Sequence, residues 1–344
     1  MLRVMVVFGG RSEEHEVSLA SARAILETLG ENGSYDVVPV GITKHGRWLS
    51  SGDPMRELET RGADGGPELP VSVSDKLPAD LGHVDVVFPV LHGPYGEDGT
   101  IQGMLEFAGV PYVGSGVLAS SAGMDKVTMK KIFTYHDLPQ VEWLGLTRYE
   151  WNEEHDGLVQ HVADTIGFPC FVKPSNLGSS VGISKADNTE ELKAAVDLAA
   201  DLDRRIIVEA AADAREIEVA VLGNEEPKVS VPGEILVGSH DFYDYEAKYT
   251  EGECQVLAPA EIPGNAEHEI REVARTAFKA IDAAGMARID FFLERGTDRV
   301  ILNEINTIPG FTPTSVYARL WDASGVTYKD LLDRLIELAL QRHA

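Results

Sequence analysis

The stretch "ARIDFFLERGTDRVILNEIN", residues 287–306, contains two apolar segments on either side of a turn signal. The letters "RGTD" between the segments predict an antiparallel pair of strands. A symmetric pairing about this turn places Asp290 opposite Glu304, with Cα atoms roughly 4.5–5.5 Å apart. Side chains alternate along a strand, so Arg288 shares a face with Asp290, and Asn306 shares it with Glu304. One face of the hairpin is therefore expected to carry four polar side chains.

Two carboxylates at that distance repel each other unless a cation lies between them. Oxygen ligands without His or Cys suit Mg²⁺ or Mn²⁺, so Asp290, Glu304 and Asn306 are candidate metal ligands. The alternative is a solvated sheet face in which Arg288 makes a structural salt bridge. The apolar flanks and the turn "NTIPGF" favour the metal site, because buried charges are paired or metal-bound.

A second polar segment, "KPSNLGSSVGIS", spans residues 173–184. Its small residues would let backbone N–H groups surround phosphate oxygens. Lys173 ends a predicted strand, and Lys126 on the preceding predicted helix can add a second charge. Taken alone, a Gly–Ser loop is more often a surface turn than a phosphate site. Together with the Mg²⁺-type hairpin, the loop predicts a lid over a nucleoside triphosphate.

Bulk composition excludes several classes of partner. The chain has 344 residues and a formal net charge of −26, which argues against nucleic acid and anionic membranes because phosphates would be repelled. No apolar stretch is long enough to span a bilayer, and the N-terminal segment does not have the pattern of a signal peptide, so a cytoplasmic protein is expected. The two cysteines, Cys170 and Cys254, form no CxxC pair, which argues against a disulfide framework or zinc site.

Strand and helix patterns alternate over about the first 120 residues, which predicts a parallel α/β domain. Residues 50–80, rich in Gly, Pro and acidic side chains, are expected to form an exposed insertion. Ligands bind beyond the carboxyl ends of parallel strands, where both Glu16 and His92 are expected. The predicted N-terminal, central and C-terminal domains span residues 1–122, 123–213 and 214–344.

The sequence resembles the D-alanine–D-alanine ligases of the ATP-grasp superfamily over nearly its whole length. The motifs that carry the resemblance occur in family order: "HEVSLAS", "LHGPYGEDGTIQG", "GMDKVTMK", "VKPSNLGSSVG", "FYDYEAKY", "ARIDFF" and "NEINTIPGFTPTS". The resemblance implies a three-domain ATP-grasp fold, with a Rossmann-like parallel N-terminal domain and two α+β domains that hold ATP between them. It also suggests a homodimer.

The resemblance implies roles for specific residues around ATP. Those implied to contact the nucleotide are Lys126, Lys173, Gly178, Ser179, Ser180, Glu209 and Glu216. Within this set, the lysines would contact the phosphates, the loop residues would cover them, and the glutamates would lie near adenine and ribose. Two Mg²⁺ (or Mn²⁺) ions would be held by Asp290, Glu304 and Asn306. After Glu209 the chain has Ala210–Ala212, where relatives often carry larger residues, so backbone groups are expected to contact adenine.

The resemblance also implies an amino-acid site. Glu16 would bind the ammonium of the first D-alanine, and Ser179 and Tyr249 would join it in a hydrogen-bonded set. Lys248 and Ser315 would bind the carboxylate of the second D-alanine. The donors implied for the developing oxyanion are Arg288 and the backbone N–H of Gly310. His92 is a candidate for substrate contact or proton transfer, and equally for a structural role.

The implied reaction is ATP-dependent ligation of two D-alanines through an acyl phosphate, for peptidoglycan precursor synthesis. Phosphoryl transfer chiefly needs positioning and charge neutralisation, which lysines, metal ions and an N–H-rich loop supply. One alternative is another ATP-grasp carboxylate–amine ligase or a D-alanine–D-lactate ligase, although "FYDYEAKY" favours an amine as the second substrate. The other is a non-enzymatic small-ligand binding protein.

Overall fold

The computed structural model describes residues 1–31, 33–61, 73–74, 79–237 and 254–344. Three β-sheets follow one another along these segments of the chain. The described helices include none that is both long and apolar enough to cross a membrane. The segment with Lys248 and Tyr249 lies outside the described residues, so the roles expected for these two side chains stay predictions.

The first sheet has the strand order β4-β3-β2-β1-β5. Its strands are Leu2–Gly9, Tyr35–Ile42, Trp48–Leu49, Val73–Ser74 and Val86–Val90, numbered β1 to β5. Strand β1 pairs in parallel with β2 and β5, while β3 and β4 add antiparallel pairs at one edge. Most of β1 and all of β5 are buried, as parallel strands covered on both faces should be. The predicted parallel α/β core is confirmed.

Helices α1 (His15–Glu31), α2 (Pro54–Arg61) and α3 (Thr100–Ala108) belong to this first region, with a short 3₁₀ helix at Ala79–His83. Helix α2 departs from the expected exposed insertion. Its apolar residues Met55 and Leu58 lie one turn apart, and Leu58 is buried in the core.

The second sheet is antiparallel and has the order β6-β9-β7-β8. These strands are Trp143–Thr147 (β6), Cys170–Pro174 (β7), Ser184–Ala186 (β8) and Arg205–Ala210 (β9). Helices α4 (Val117–Met124) and α5 (Lys126–Tyr135) precede it, and α6 (Arg148–Glu153), α7 (His155–Thr165) and α8 (Thr189–Leu202) accompany it. Asp125 caps α5 by accepting a hydrogen bond of 2.8 Å from the Thr128 N–H.

The third sheet has the order β13-β12-β10-β14-β15, with β11 paired to β10. Its strands are Ala214–Gly223, Lys228–Val229, Gly233–Val237, Cys254–Leu257, Gly285–Glu294 and Val300–Asn306, numbered β10 to β15. Helices α9 (Gly264–Ala280), α10 (Val316–Ala323) and α11 (Tyr328–Arg342) complete this region. Its strand pairs are all antiparallel.

Two hydrophobic cores join parts of the chain that are distant in sequence. Side chains of α5, such as Met129 and Phe133, pack with the third sheet and α9. Leu335 of α11 packs with residues of the first sheet and α1, such as Phe8 and Ile25. The site described below lies where these regions meet. The three sheets fall within the three predicted domain ranges, and the domain boundaries themselves stay a prediction.

Candidate active site

The hairpin β14–β15 has the register predicted from the sequence. Asp290 lies opposite Glu304, and Arg288 lies opposite Asn306. Their side chains are half-buried, while alternate residues of β14 such as Ile289 are buried beneath them. Beyond this pair the register shifts, because Phe291 lies opposite Leu302. Such a bulge bends a strand and re-aims its side chains.

Arg288 links the acidic groups on this sheet. Its Nε and Nη2 donate hydrogen bonds of 2.8 Å each to the two carboxylate oxygens of Asp290. The same Nε lies 3.0 Å from Oε2 of Glu218 on β10. Asn306 donates a further bond of 3.0 Å to Asp290. The salt bridge considered from the sequence is therefore present, and it holds the Arg288 guanidinium in place.

The same groups fit a hard divalent cation. Asp290, Glu304 and Asn306 offer carboxylate and amide oxygens, the ligands that Mg²⁺ and Mn²⁺ prefer. A carboxylate oxygen that accepts one hydrogen bond keeps a second lone pair for a metal. Among the described residues, no three His, Cys, Asp or Glu side chains converge to hold a metal by themselves. Mg²⁺ bound by so few protein ligands completes its shell with water and substrate phosphates.

A cavity of about 220 Å³ lies beside this hairpin. Its walls come from all three regions of the chain. The predicted site residues that line it are His92, Lys126, Gly178, Ser179, Ser180, Arg288, Glu304, Asn306, Gly310 and Ser315. The Ser315 hydroxyl donates a hydrogen bond of 2.7 Å to the Thr312 carbonyl, which fixes the turn that leads into α10.

A second cavity of about 210 Å³ adjoins the first. Ser180, Ile183 and Glu304 line both cavities. The predicted site residues on its walls are Lys173, Ser180, Glu209, Glu216, Asp290 and Glu304. Its apolar lining is given by Val141, Phe171, Ala210, Ala212, Ile217 and Phe292. The second cavity thus combines an apolar space for a flat ring with charged groups next to the hairpin.

Glu209 is buried between two lysines on the floor of the second cavity. Its Oε1 lies 2.7 Å from the Lys130 Nζ, and its Oε2 lies 2.6 Å from the Lys173 Nζ. Burial raises the pKa of Glu209, but the two ammonium groups outweigh burial and hold that pKa well below its ordinary value. Burial lowers the pKa of Lys173, and the carboxylates of Glu209 and Glu304 more than reverse this. Glu209 and Lys173 therefore both remain charged.

The loop between β7 and β8 covers the junction of the two cavities. Lys126 donates a hydrogen bond of 2.8 Å from its Nζ to the Leu177 carbonyl, and this ammonium lies 3.9 Å from Oε2 of Glu304. Ser179 and Ser180 have left-handed backbones, with φ of 48° and 59°. Gly182 follows with φ of 73°, so the loop turns tightly over Lys126.

Glu14, and not Glu16, meets this loop. The Ser179 hydroxyl donates a hydrogen bond to a carboxylate oxygen of Glu14. Glu14 lines the first cavity, whereas Glu16 is exposed in the first turn of α1 and is absent from its walls. The hydrogen bond expected between Glu16 and Ser179 is thus made by Glu14 instead, while the binding roles expected for Glu16, Ser179 and Tyr249 stay predictions. Glu14 directly precedes α1, whereas Glu16 lies in its first turn, so the two side chains point in different directions. The sequence shows a group of glutamates here, but only the start of the helix decides which of them faces the loop.

His92 is buried at the end of β5, beside the first cavity. Its Nδ1 lies 3.0 Å from the Ile308 carbonyl and 3.7 Å from Oε1 of Glu97. Burial lowers the pKa of His92, but the Glu97 carboxylate outweighs it and the pKa lies above its ordinary value. Glu97 also lines the cavity and was not expected from the sequence. Both of its partners, His92 and the Gly93 N–H, lie in the same turn after β5.

Residues 3–115 match the family model described as D-ala D-ala ligase N-terminus, and residues 132–337 match D-ala D-ala ligase C-terminus. A D-alanine–D-alanine ligase of Deinococcus radiodurans is 49% identical, and the match covers 98% of each chain.

Two solved structures of other proteins are similar to this chain in fold. The D-alanine–D-alanine ligase of Coxiella burnetii superposes with a TM-score of 0.85 at 34% identity, covering 99% of this chain and 94% of that one. The VanG D-Ala:D-Ser ligase of Enterococcus faecalis gives 0.84 at 34% identity, covering 98% and 99%.

Proposed function

The chain belongs to the D-alanine–D-alanine ligase family and has its ATP-grasp fold, and we propose that it joins two D-alanine molecules at the expense of ATP. One observation carries the proposal: two cavities, one with an apolar ring-sized space and one lined by Glu14 and Arg288, meet at Glu304. A phosphoryl group can then pass from a nucleotide to an amino acid without leaving the site. The product serves peptidoglycan precursor synthesis.

We place ATP in the second cavity. Adenine would lie against the apolar walls near Phe171 and Phe292, with backbone groups of Ala210–Ala212 as contacts. The phosphates would extend towards Lys126 and Lys173 under the turn at Gly178–Ser180. Glu216 is proposed to contact the ribose.

Two Mg²⁺ ions are proposed at Asp290, Glu304 and Asn306. When bound, they would neutralise negative charge on the phosphates during transfer. Lys126 adds a further positive charge beside the proposed metal site, because its ammonium lies 3.9 Å from Oε2 of Glu304.

We place the amino acids in the first cavity. Glu14 would bind the ammonium of the first D-alanine, replacing Glu16 in this role. The carboxylate of this D-alanine attacks the γ-phosphorus of ATP, which releases ADP and forms an acyl phosphate. A carboxylate becomes a good electrophile only in this activated form.

The amine of the second D-alanine then attacks the acyl carbon, and phosphate leaves. Negative charge develops on the carbonyl oxygen, where Arg288 and the Gly310 N–H would stabilise it. Arg288 is suited to this because Asp290 and Glu218 hold its guanidinium in advance. Ser315 and Lys248 are proposed to bind the second carboxylate, and Tyr249 to close the site over it.

A D-alanine–D-serine ligase is the second candidate, because the VanG D-Ala:D-Ser ligase is among the similar structures. D-Lactate is the third candidate acceptor. We further propose a homodimer that works in the cytoplasm, where ATP is supplied.

The test is phosphate release from Mg²⁺-ATP with D-alanine, D-alanine plus D-serine, or D-alanine plus D-lactate, with product masses measured. L-Alanine serves as the stereochemical control. We expect D-alanyl-D-alanine as the main product. Protein that binds Mg²⁺-ADP but shows no D-alanine-dependent phosphate release would contradict the proposed function, and a mixed product would support the second or third acceptor.

A further inference from the structure

Lys130 is a buried cation outside the residues assigned above. It lies one turn after Lys126 on α5, and only 1% of it is exposed. Its Nζ lies 2.7 Å from Oε1 of Glu209. Lysine is almost never fully buried without a partner, so this ion pair accounts for its position. Lys131, the next residue along the helix, is exposed.

Glu209 divides its two oxygens between two lysines. Oε2 lies 2.6 Å from the Nζ of Lys173, which faces the second cavity. The three groups together carry two positive charges and one negative charge, which leaves one positive charge for a ligand. Without Lys130, the pair of Lys173 and Glu209 would be neutral overall.

This remaining charge matters because the surroundings of Lys173 are acidic. The carboxylates of Glu209, Glu304 and Glu216 all act on its ammonium. A phosphate that enters the second cavity meets these negative charges as well. Each positive charge near the cavity therefore contributes strongly to the affinity for an anion.

We propose that Lys130 is a positioning residue for nucleotide binding. It pairs with Glu209, holds that carboxylate in place, and leaves the positive charge of Lys173 available to a nucleotide phosphate. The inference deepens the proposed function, on which it rests for the identity of the nucleotide. Lys130 lines neither of the two cavities, so it acts on a nucleotide through Glu209.

The test compares Lys130→Met with Lys130→Arg and with the matched control Lys131→Met. Binding of Mg²⁺-ADP and of adenosine is measured by calorimetry or ligand-observed NMR, in the absence of D-alanine. We expect Lys130→Met to weaken ADP binding about tenfold or more, because tenfold corresponds to one unit charge about 12 Å away at an effective dielectric constant of about 20. Adenosine, which has no phosphate, should lose much less affinity than ADP.

In turnover, Lys130→Met should raise KM for ATP more than it lowers kcat. Lys130→Arg should bind ADP nearly as well as the wild type because it retains the charge. Lys131→Met should equal the wild type throughout.

Three results would overturn the proposal. The first is unchanged ADP binding in folded Lys130→Met. The second is an equal loss for ADP and adenosine, which would show that the pocket has collapsed. The third is failure of both Lys130→Met and Lys130→Gln to fold, which would make Lys130 a folding residue only. Failure of the proposed function would instead appear in the wild type, as absent ADP binding or absent D-alanine-dependent turnover.

Discussion

Two glutamates at the start of α1 lie two positions apart in different surroundings. Glu14 precedes the helix, accepts a hydrogen bond from Ser179 and lines the first cavity. Glu16 lies in the first helical turn and is exposed. A substrate ammonium in the cavity would therefore meet the charge of Glu14 at close range, while water screens the charge of Glu16.

Replacement of Glu14 by Gln should raise KM for D-alanine. Hydrogen bonds to charged groups contribute about 1.5–3 kcal/mol, so the increase should be on the order of tenfold or more. Glu16→Gln is the matched control and should keep a KM near that of the wild type. Steady-state kinetics with D-alanine varied at saturating ATP decide between them. If Glu16→Gln raises KM for D-alanine more than Glu14→Gln does, Glu16 and not Glu14 binds the ammonium.

Glu304→Gln should lower kcat by about a hundredfold while the protein stays folded. The change removes a negative charge from the proposed metal site, and loss of even an outer partner of a metal ligand costs about 10–100-fold. Glu294→Gln, at the turn end of the same hairpin, is the control and should keep its activity. Turnover is measured across a Mg²⁺ titration. Unchanged kcat with unchanged Mg²⁺ dependence would show that Glu304 is no metal ligand.

At the scale of elements, the shape of the loop between β7 and β8 is set by unusual backbone conformations. Ser179 and Ser180 lie in the left-handed region, which non-glycine residues seldom adopt. Gly182 combines a φ of 73° with close packing, because a Cβ there would lie 2.4 Å from Leu202 Cδ1 and 2.9 Å from Pro174 Cγ. The loop is thus held in one shape by packing as well as by sequence.

Gly182→Ala should weaken ATP binding and destabilise the loop. The residue would have to leave the left-handed region or displace Leu202, either of which disturbs the turn over the phosphate site. Gly167→Ala is a matched control, since Gly167 has a φ of 74° but a Cβ added there would meet no atom within 4 Å. We expect the control to lose about 1 kcal/mol of unfolding free energy with KM for ATP unchanged. Equal KM values for ATP in the two variants would contradict the proposed role of this loop in phosphate binding.

The hairpin β14–β15 shows what sequence periodicity can and cannot predict within one element. Alternation and the turn signal predicted that Asp290 faces Glu304, and this pairing is confirmed. The shift after Asp290 was not predicted, because a bulge inserts a single residue and leaves the apolar pattern of both strands nearly intact. Helix α2 was missed because turn-forming and acidic residues surround its two apolar positions.

At the scale of the whole molecule, acidic residues outnumber basic ones by enough to give a net charge of −26. Like charges distributed over a folded surface repel each other and destabilise the compact state. Salt screens this repulsion, with a Debye length of about 10 Å at 0.1 M and about 3 Å at 1 M.

The melting temperature of the ligand-free protein should therefore rise by several degrees between low and high ionic strength. Differential scanning calorimetry in NaCl and in KCl at matched concentrations provides the measurement. Screening depends on ionic strength, so the two salts should act alike. A rise with only one salt would point to a specific ion site, and a fall with both would contradict the role of repulsion.

The sequence by itself determined the parallel core of the first sheet, the polar hairpin, the Gly–Ser loop after β7 and membership of the ligase family, because each rests on local patterns or motifs. Only the tertiary structure decided that Glu14 meets Ser179, that Lys130 pairs with Glu209 and that two cavities share Glu304. These contacts join residues that are far apart in the chain. Their geometry follows from how α1, α5 and the three sheets pack, and side-chain periodicity carries no information on that packing.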